Sequence, residues 1–188
     1  VINGHASQID VVLEADHRGI TIRDNGRGIP IGKHAKHKVP AVVVVFTVLG
    51  AGGKFDGESY KHSGGLHGVG AAVTNALAET LEARVSRKGK VHEVRFEQGV
   101  QVGKMKVVGK SRSSGTEVFF RPDPEIFGDK LIFDPQTIRE RIEAKSYLHK
   151  GLKISFTDEA TGKKESFHHA EGISEYLTKL VQVRGKSA

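Results

Sequence analysis

The sequence predicts an α+β fold, and three observations carry that prediction. Short runs rich in β-branched residues, most of them with glycine-bearing turns between them, recur from residue 9 to residue 121. Helical spacing is confined to a few segments, near 71–78, 135–148 and 172–183. Four glycines in the seven residues Gly64–Gly70 lead directly into the first of those helices. Glycines at that density forfeit too much backbone entropy and packing surface for a helix or strand interior, so they mark a loop.

Composition bounds the reading. A chain of 188 residues with 37% hydrophobic content is long enough for one buried core, so residues 1–188 read as a single domain. Without cysteine, neither a disulfide framework nor a thiolate metal site can form. No apolar run reaches the length of a membrane span, which points to a soluble, cytoplasmic protein without membrane partners. The opening Val1-Ile2-Asn3-Gly4-His5 shows neither an initiator methionine nor a signal pattern, and reads as part of something longer. The formal charge of +7 tolerates an anionic ligand or a nucleic-acid neighbour and identifies neither.

In chain order, Ile9–Glu14 and Gly19–Asp24, joined by Ala15–Arg18, read as a hairpin. Its second strand runs into Asp24-Asn25-Gly26-Arg27-Gly28-Ile29-Pro30, a carboxylate at a strand end beside two glycines that permit close approach to the backbone. Asp24 can accept a hydrogen bond from a ligand amino group, or simply cap a turn. Residues 31–39 form a basic connector. Its two histidines are three apart and lack further ligands at useful spacing, so it reads as a solvated loop. The valine run 41–49 suits a strand by propensity and a short buried helix by position, and both readings stay open. Residues 50–63 combine glycines with Lys54, Tyr60 and Lys61, and read as a lid.

The loop Ser63-Gly64-Gly65-Leu66-His67-Gly68-Val69-Gly70 enters the helix 71–78 and offers unblocked backbone N–H groups at one place, the requirement of a phosphate cradle. Beyond it, 81–86, 90–97, 104–109 and 116–121 read as strands of an antiparallel sheet. Asp134-Pro135 supplies an N-cap and a first-turn proline for a helix ending at Tyr147-Leu148. Residues 152–157 and 165–168 form another hairpin across Gly162. Ile173, Tyr176, Leu177, Leu180 and Val181 at helical spacing read as a helix packed on the core.

Together, Asp24–Pro30, Ala51-Gly52-Gly53-Lys54-Phe55, Ser63–Gly70 and Gly115-Thr116 resemble, in the same order, the nucleotide-binding motifs of the gyrase B and topoisomerase IV B family. That family is the type II topoisomerase branch of the GHKL ATPases. The resemblance extends from Gly4-His5 to about Tyr176. It implies a mostly antiparallel or mixed sheet covered on one face by helices, and ATP with Mg²⁺ as cofactors. Asp24 would accept from the adenine amino group, with Gly28 letting the base lie close, Thr116 in support, and Ile29 and Pro30 as an apolar wall. Leu66, His67, Gly68, Val69 and Gly70 would donate to phosphates, and Lys54 and Tyr60 would reach the nucleotide from the lid. Arg27, Pro30 and Arg87 would form the mouth where aminocoumarin-like inhibitors bind, although Arg87 also suits an exposed charged turn at 86–90.

The resemblance further implies a homodimer, an A-type partner subunit and DNA in the parent enzyme. The general-base glutamate and the magnesium-holding asparagine would lie upstream of Val1, leaving no catalytic or metal residue in this chain. It departs from the family pattern at Gly50, where histidine is usual, and near Val43, where an acidic residue is usual.

Overall fold

The protein, described here by a computed structural model covering residues 5–50 and 68–185, is built on one eight-stranded sheet. The strands are β1 (Gln8–Leu13), β2 (Ile20–Asp24), β3 (Ala78–Arg87), β4 (Lys90–Glu97), β5 (Val100–Lys110), β6 (Gly115–Pro122), β7 (Lys153–Asp158) and β8 (Lys163–His168). Their order is β5-β4-β3-β6-β2-β1-β7-β8. Neighbours run antiparallel except β1 and β7, which pair in parallel from Gln8↔Lys153 to Leu13↔Asp158. A parallel pair needs a long crossover. This one joins residues 145 positions apart, beyond the reach of a local pattern. The β3–β4 and β4–β5 hairpins turn through Lys88-Gly89 and Gln98-Gly99, all four at positive φ, the geometry that matches strand twist.

Alternation along the strands divides the sheet into two unlike faces. Ile9, Val11 and Leu13 of β1, Ile20 of β2, Leu81, Ala83 and Val85 of β3 and Phe120 of β6 point to one side, where the helices lie. Helices α1 (Ala41–Thr47) and α2 (Gly70–Ala76) cover the β3–β4–β6 half, burying Val42, Val43, Phe46 and Phe96. Helix α4 (Pro135–Leu148) covers the β1–β7–β8 half, burying Ile142 among Val11, Leu152, Ile154, Phe156 and Phe167. Phe120 packs against both clusters.

The opposite face is a charged ladder. Glu117 pairs with Arg23 and Arg84, and Glu93 is ringed by Arg84, Arg95 and Lys106. Burial alone would raise the Glu93 carboxyl, but its hydrogen bonds to Lys106 and Arg84 and the charge of Arg95 hold it below the usual range.

The expected α+β class matches this mixed sheet with helices on one face. The run 41–49 resolves as a helix: Pro40 precedes it, and Val42, Val43, Val44 and Phe46 are buried against a sheet that already has its neighbours. A short helix α3 (Pro124–Phe127), capped by Asp123, was not foreseen. The core-packing reading of the last helix, α5 (Ile173–Gly185), is corrected. Among its described side chains, Ile173, Leu177 and Val181 are exposed and Tyr176 meets a neighbouring ring, Tyr147 at 5.2 Å, while the Leu180 side chain lies outside those described. Helical spacing reveals an apolar stripe without revealing what the stripe faces.

Candidate nucleotide site

Asp24 and Thr116 are register partners at the upper end of β2 and β6, on the face that carries the helices. Thr116 is buried, and its Oγ1 accepts from Ile29 N at 3.2 Å, tying the loop after β2 to the first turn of β6. Asp24 Oδ1 accepts from Gly26 N at 2.7 Å, and its Oδ2 has no hydrogen-bond partner among the described residues. The turn-capping reading of Asp24 is thus observed, and the second oxygen is left open for a ligand.

The loop 25–30 is held on three sides. Asn25 Oδ1 accepts from Ser7 N and Gln8 N, and its Nδ2 donates to Ser7 Oγ. Gly28, at φ +71°, lies so close to the sheet that a Cβ would stand 2.9 Å from Ser86 O and 3.0 Å from Gly115 O. Its close approach is therefore to the protein's own backbone. Arg87 Nη1 donates to Gly28 O at 2.6 Å, so this arginine bolts the mouth loop to the β3–β4 hairpin instead of extending freely from a charged turn. Gly115 is as tightly placed: a Cβ there would come within 2.2 Å of Asp24 O. Ile29 packs against the α1–α2 core cluster, while Arg27 and Pro30 are exposed.

Of the expected phosphate cradle, Leu66 and His67 lie outside the described residues, as do Lys54, Tyr60 and the expected lid beyond Gly50. Gly68, at φ +61°, and Val69 lead into α2, whose first turn has no side-chain cap. Among the described residues, nothing lies within 4 Å of where a Cβ at Gly70 would be.

Sequence reasoning passed over Asn75, a buried polar residue in the apolar α2. Its Nδ2 donates to Phe46 O at 2.9 Å and Gly99 O at 3.0 Å, locking α2 to α1 and to the β4–β5 turn. A lone amide inside an apolar helical run was the available signal. Asn25 and Arg87 needed tertiary structure to be read, because their partners lie 18 and 59 residues away.

A concavity of about 390 Å³ opens beside these residues, but its side chains Arg23, Arg84, Ser86 and Glu117 belong to the charged face of the sheet. In the connector 31–39, His34 Nδ1 accepts from Lys36 N and His37 N at 3.3 Å each, an imidazole-capped turn. Among the described residues no group of three or more His, Cys, Asp or Glu is arranged to hold a metal ion.

The model of the histidine kinase-, DNA gyrase B- and HSP90-like ATPase family matches residues 1–126. The DNA gyrase B protein of Halalkalibacterium halodurans is 46% identical over 182 residues, covering 96% of this chain and 28% of that protein. The DNA topoisomerase 4 B protein of Mycoplasma pneumoniae is 46% identical over 184 residues, covering 96% of this chain and 29% of that protein. Among solved structures, the 43K ATPase domain of Thermus thermophilus gyrase B in complex with an aminocoumarin superimposes with a TM-score of 0.82. It shares 38% identity over 95% of this chain and 44% of that one. The chain thus spans little more than a quarter of the length of the curated relatives it matches.

Proposed function

The chain belongs to the histidine kinase-, DNA gyrase B- and HSP90-like ATPase family, and on that premise we propose that it is the ATP-binding domain of a gyrase B or topoisomerase IV B type protein. One observation carries the reading within the site. Asp24 and Thr116 stand side by side at a strand end, one with a free carboxylate oxygen and the other fixing Ile29 N.

In this reading Asp24 Oδ2 accepts from the adenine amino group, and Thr116 orients the loop around it. Ile29 and Pro30 flank the base, and the backbone of Leu66 through Gly70 receives the phosphates, with Lys54 and Tyr60 closing from the lid. Arg27, Pro30 and Arg87 form an inhibitor-binding mouth, a role supported by the aminocoumarin in the related Thermus structure. The parent protein would act in the cytoplasm as a dimer, with an A-type subunit and DNA, coupling ATP binding and hydrolysis to strand passage. No helix among the described residues is long and apolar enough to cross a membrane.

A second reading, nucleotide or inhibitor binding without turnover, is kept for a specific reason. Across 24–40 and 110–116 Asp24 is the one carboxylate, and it is committed to Gly26 N and, in the proposal, to adenine. In-line attack of water on a γ-phosphate needs a separate base or positioning group. Mg²⁺ belongs to the first reading as the ion that would accompany the nucleotide phosphates, and no step is assigned through it.

Calorimetric titration of the chain and of Asp24→Ala with a non-hydrolysable ATP analogue tests the site. A charge-assisted hydrogen bond contributes about 1.5–3 kcal/mol, so affinity should fall by about ten- to a hundred-fold. Equal affinity in a folded variant would remove Asp24 from the site. Steady-state phosphate release from this chain and from its parent protein separates the two readings: both expect only background release from this chain, and the non-turnover reading expects it from the parent protein as well.

A further inference from the structure

The two ends of the sheet carry opposite charge, and the nucleotide reading does not use that asymmetry. The loops that meet at Asp24 and Gly28 are 25–40, 87–90 and 110–115. They hold Arg27, Lys33, Lys36, Lys38, Arg87, Lys88, Lys90, Lys110 and Arg112, nine cations, and no aspartate or glutamate. At the other end, 14–19, 97–100, 123–134 and 158–163 hold nine carboxylates against Arg18, Lys130 and Lys163.

Apart from Arg87, every one of the nine site-end cations is exposed, and none of the nine has an ion-pair partner among the described residues. The arginines of the charged face are different: Arg23, Arg84, Arg95 and Arg121 each pair with a carboxylate. Within the site-end cluster, Lys90 and Lys110 are direct register partners across β4 and β5, and Ser111 N donates to Gly89 O, which brings Arg112 beside the same hairpin tip. Like charges facing each other across two strands destabilise the pair. An anion lying over them reverses the sign of that contribution.

We propose that this cationic end is a docking surface for the sugar-phosphate backbone of duplex DNA, placed over the mouth of the nucleotide site. Its span favours a polymer over one nucleotide. Four strand spacings of about 4.8 Å separate β2 from β5, so the row from Arg27 to Lys110 is about 19 Å long. Laid along a duplex axis, that length spans five or six base pairs at about 3.4 Å each. Lys110 is thus remote from anything that Asp24 holds. The choice of DNA as the polyanion rests on the topoisomerase reading, whereas the surface itself rests on the charge distribution.

The test uses the full chain, a short fluorescent DNA duplex and a salt series. The variant Lys88→Gln/Lys110→Gln/Arg112→Gln removes three surface charges outside the proposed nucleotide contacts. Each lost phosphate contact lowers the slope of log K against log salt by about 0.9, so the slope should become shallower by about 2.7 and affinity should drop about tenfold or more. Arg18→Gln/Lys130→Gln/Lys163→Gln makes the same change in net charge at the opposite end and should bind duplex as the parent does. Affinity for the ATP analogue, measured on the same preparations, should be unchanged in both variants.

The surface is refuted if the parent shows no salt-dependent duplex binding, or if the two triple variants weaken it equally. It is also refuted if the site-end variant loses analogue affinity and keeps duplex affinity, which would assign the cations to the nucleotide alone. Absence of analogue binding by the parent overturns the nucleotide reading, while the duplex slopes still decide the surface.

Discussion

The two halves of the sheet are covered by helices of different construction. On the β1–β7–β8 half, α4 has fourteen residues, a side-chain-capped N-terminus and Lys145 in its last turn. Asp134 accepts from Gln136 N and Thr137 N, Pro135 opens the first turn, and Arg139 joins Glu143 to Glu165 with its guanidinium 5.3 Å from the Phe167 ring. On the β3–β4–β6 half, α1 and α2 have seven residues each, with no side-chain N-cap, no acid in the first turn and no base in the last. Helices that short are unstable alone. They hold by burial and by the Asn75 bonds, with the start of α2 left uncapped beside the loop assigned to phosphates. The half that stands by its own end chemistry is scaffold, and the half whose ends lack it is where a ligand has most to contribute.

The largest effect should come from removing the burial on which the site half depends. Phe46 is 3% exposed and lies 5.7 Å from the Phe96 ring. Phe46→Ala should cost about 3–5 kcal/mol in urea unfolding. A loss under about 1 kcal/mol would mean that α1 is not held by its core contacts, and the contrast between the halves would fail.

Next in size is the response to nucleotide. A ligand at a hundred times its Kd stabilises the binding-competent state by about 2.7 kcal/mol. Amides of α1 and α2 that exchange by opening of the site half should therefore slow by up to about a hundred-fold with an ATP analogue, while those of α4 that exchange by local opening should not change. Hydrogen exchange followed by mass spectrometry reads both halves in one experiment. Uniform protection would show that they open as one unit.

Asn75→Ala comes third. It leaves Phe46 O and Gly99 O without their donor, at about 1–3 kcal/mol. Because Asn75 fixes α2 behind the proposed phosphate cradle, analogue affinity should fall as well. Ile142→Val, a deletion of about 0.5–1.5 kcal/mol on the buried face of α4, should leave affinity unchanged. If both variants change affinity alike, Asn75 acts through general stability and not through position.

What the sequence made legible follows the same division. The cap Asp134-Pro135, the hairpin through Gly162 and the extent of β4 are local patterns, and they are found where composition and turn chemistry indicate. The valine run of α1 could not be resolved from propensity, because its helical state is decided by a sheet that already has its neighbours. The β1–β7 pairing and the Arg87 bond to Gly28 join distant residues and leave no local trace. In the site, Asp24, Gly28 and Thr116 were readable as candidates from their motifs. That Gly28 and Gly115 are pressed against the protein's own carbonyls could only be read from the assembled sheet.

The smallest effect is a pH signature confined to one half. The hydrogen bond from the Thr137 side chain, then those from the Thr137 and Gln136 backbone N–H groups, hold the Asp134 carboxyl below its ordinary value of 3.8. A carboxyl whose folded value is depressed stabilises the fold above its unfolded value, and that stabilisation is lost as pH falls through the folded value. The loss for Asp134 therefore begins near pH 3.8 and continues below it. In that window the first turn of α4 should begin to exchange faster, and α1 and α2, which have no capping carboxylate, should show no matching change of their own. Asp134→Asn separates the cap from its charge, since asparagine caps about as well as aspartate and does not titrate. The variant should keep α4 intact at neutral pH and flatten its exchange as the pH is lowered through that window. If α4 in Asp134→Asn still loosens on acidification, the ion pairs of Arg139 with Glu143 and Glu165 govern its acid response, and the contrast between the halves lies in side-chain pairing and not in helix ends.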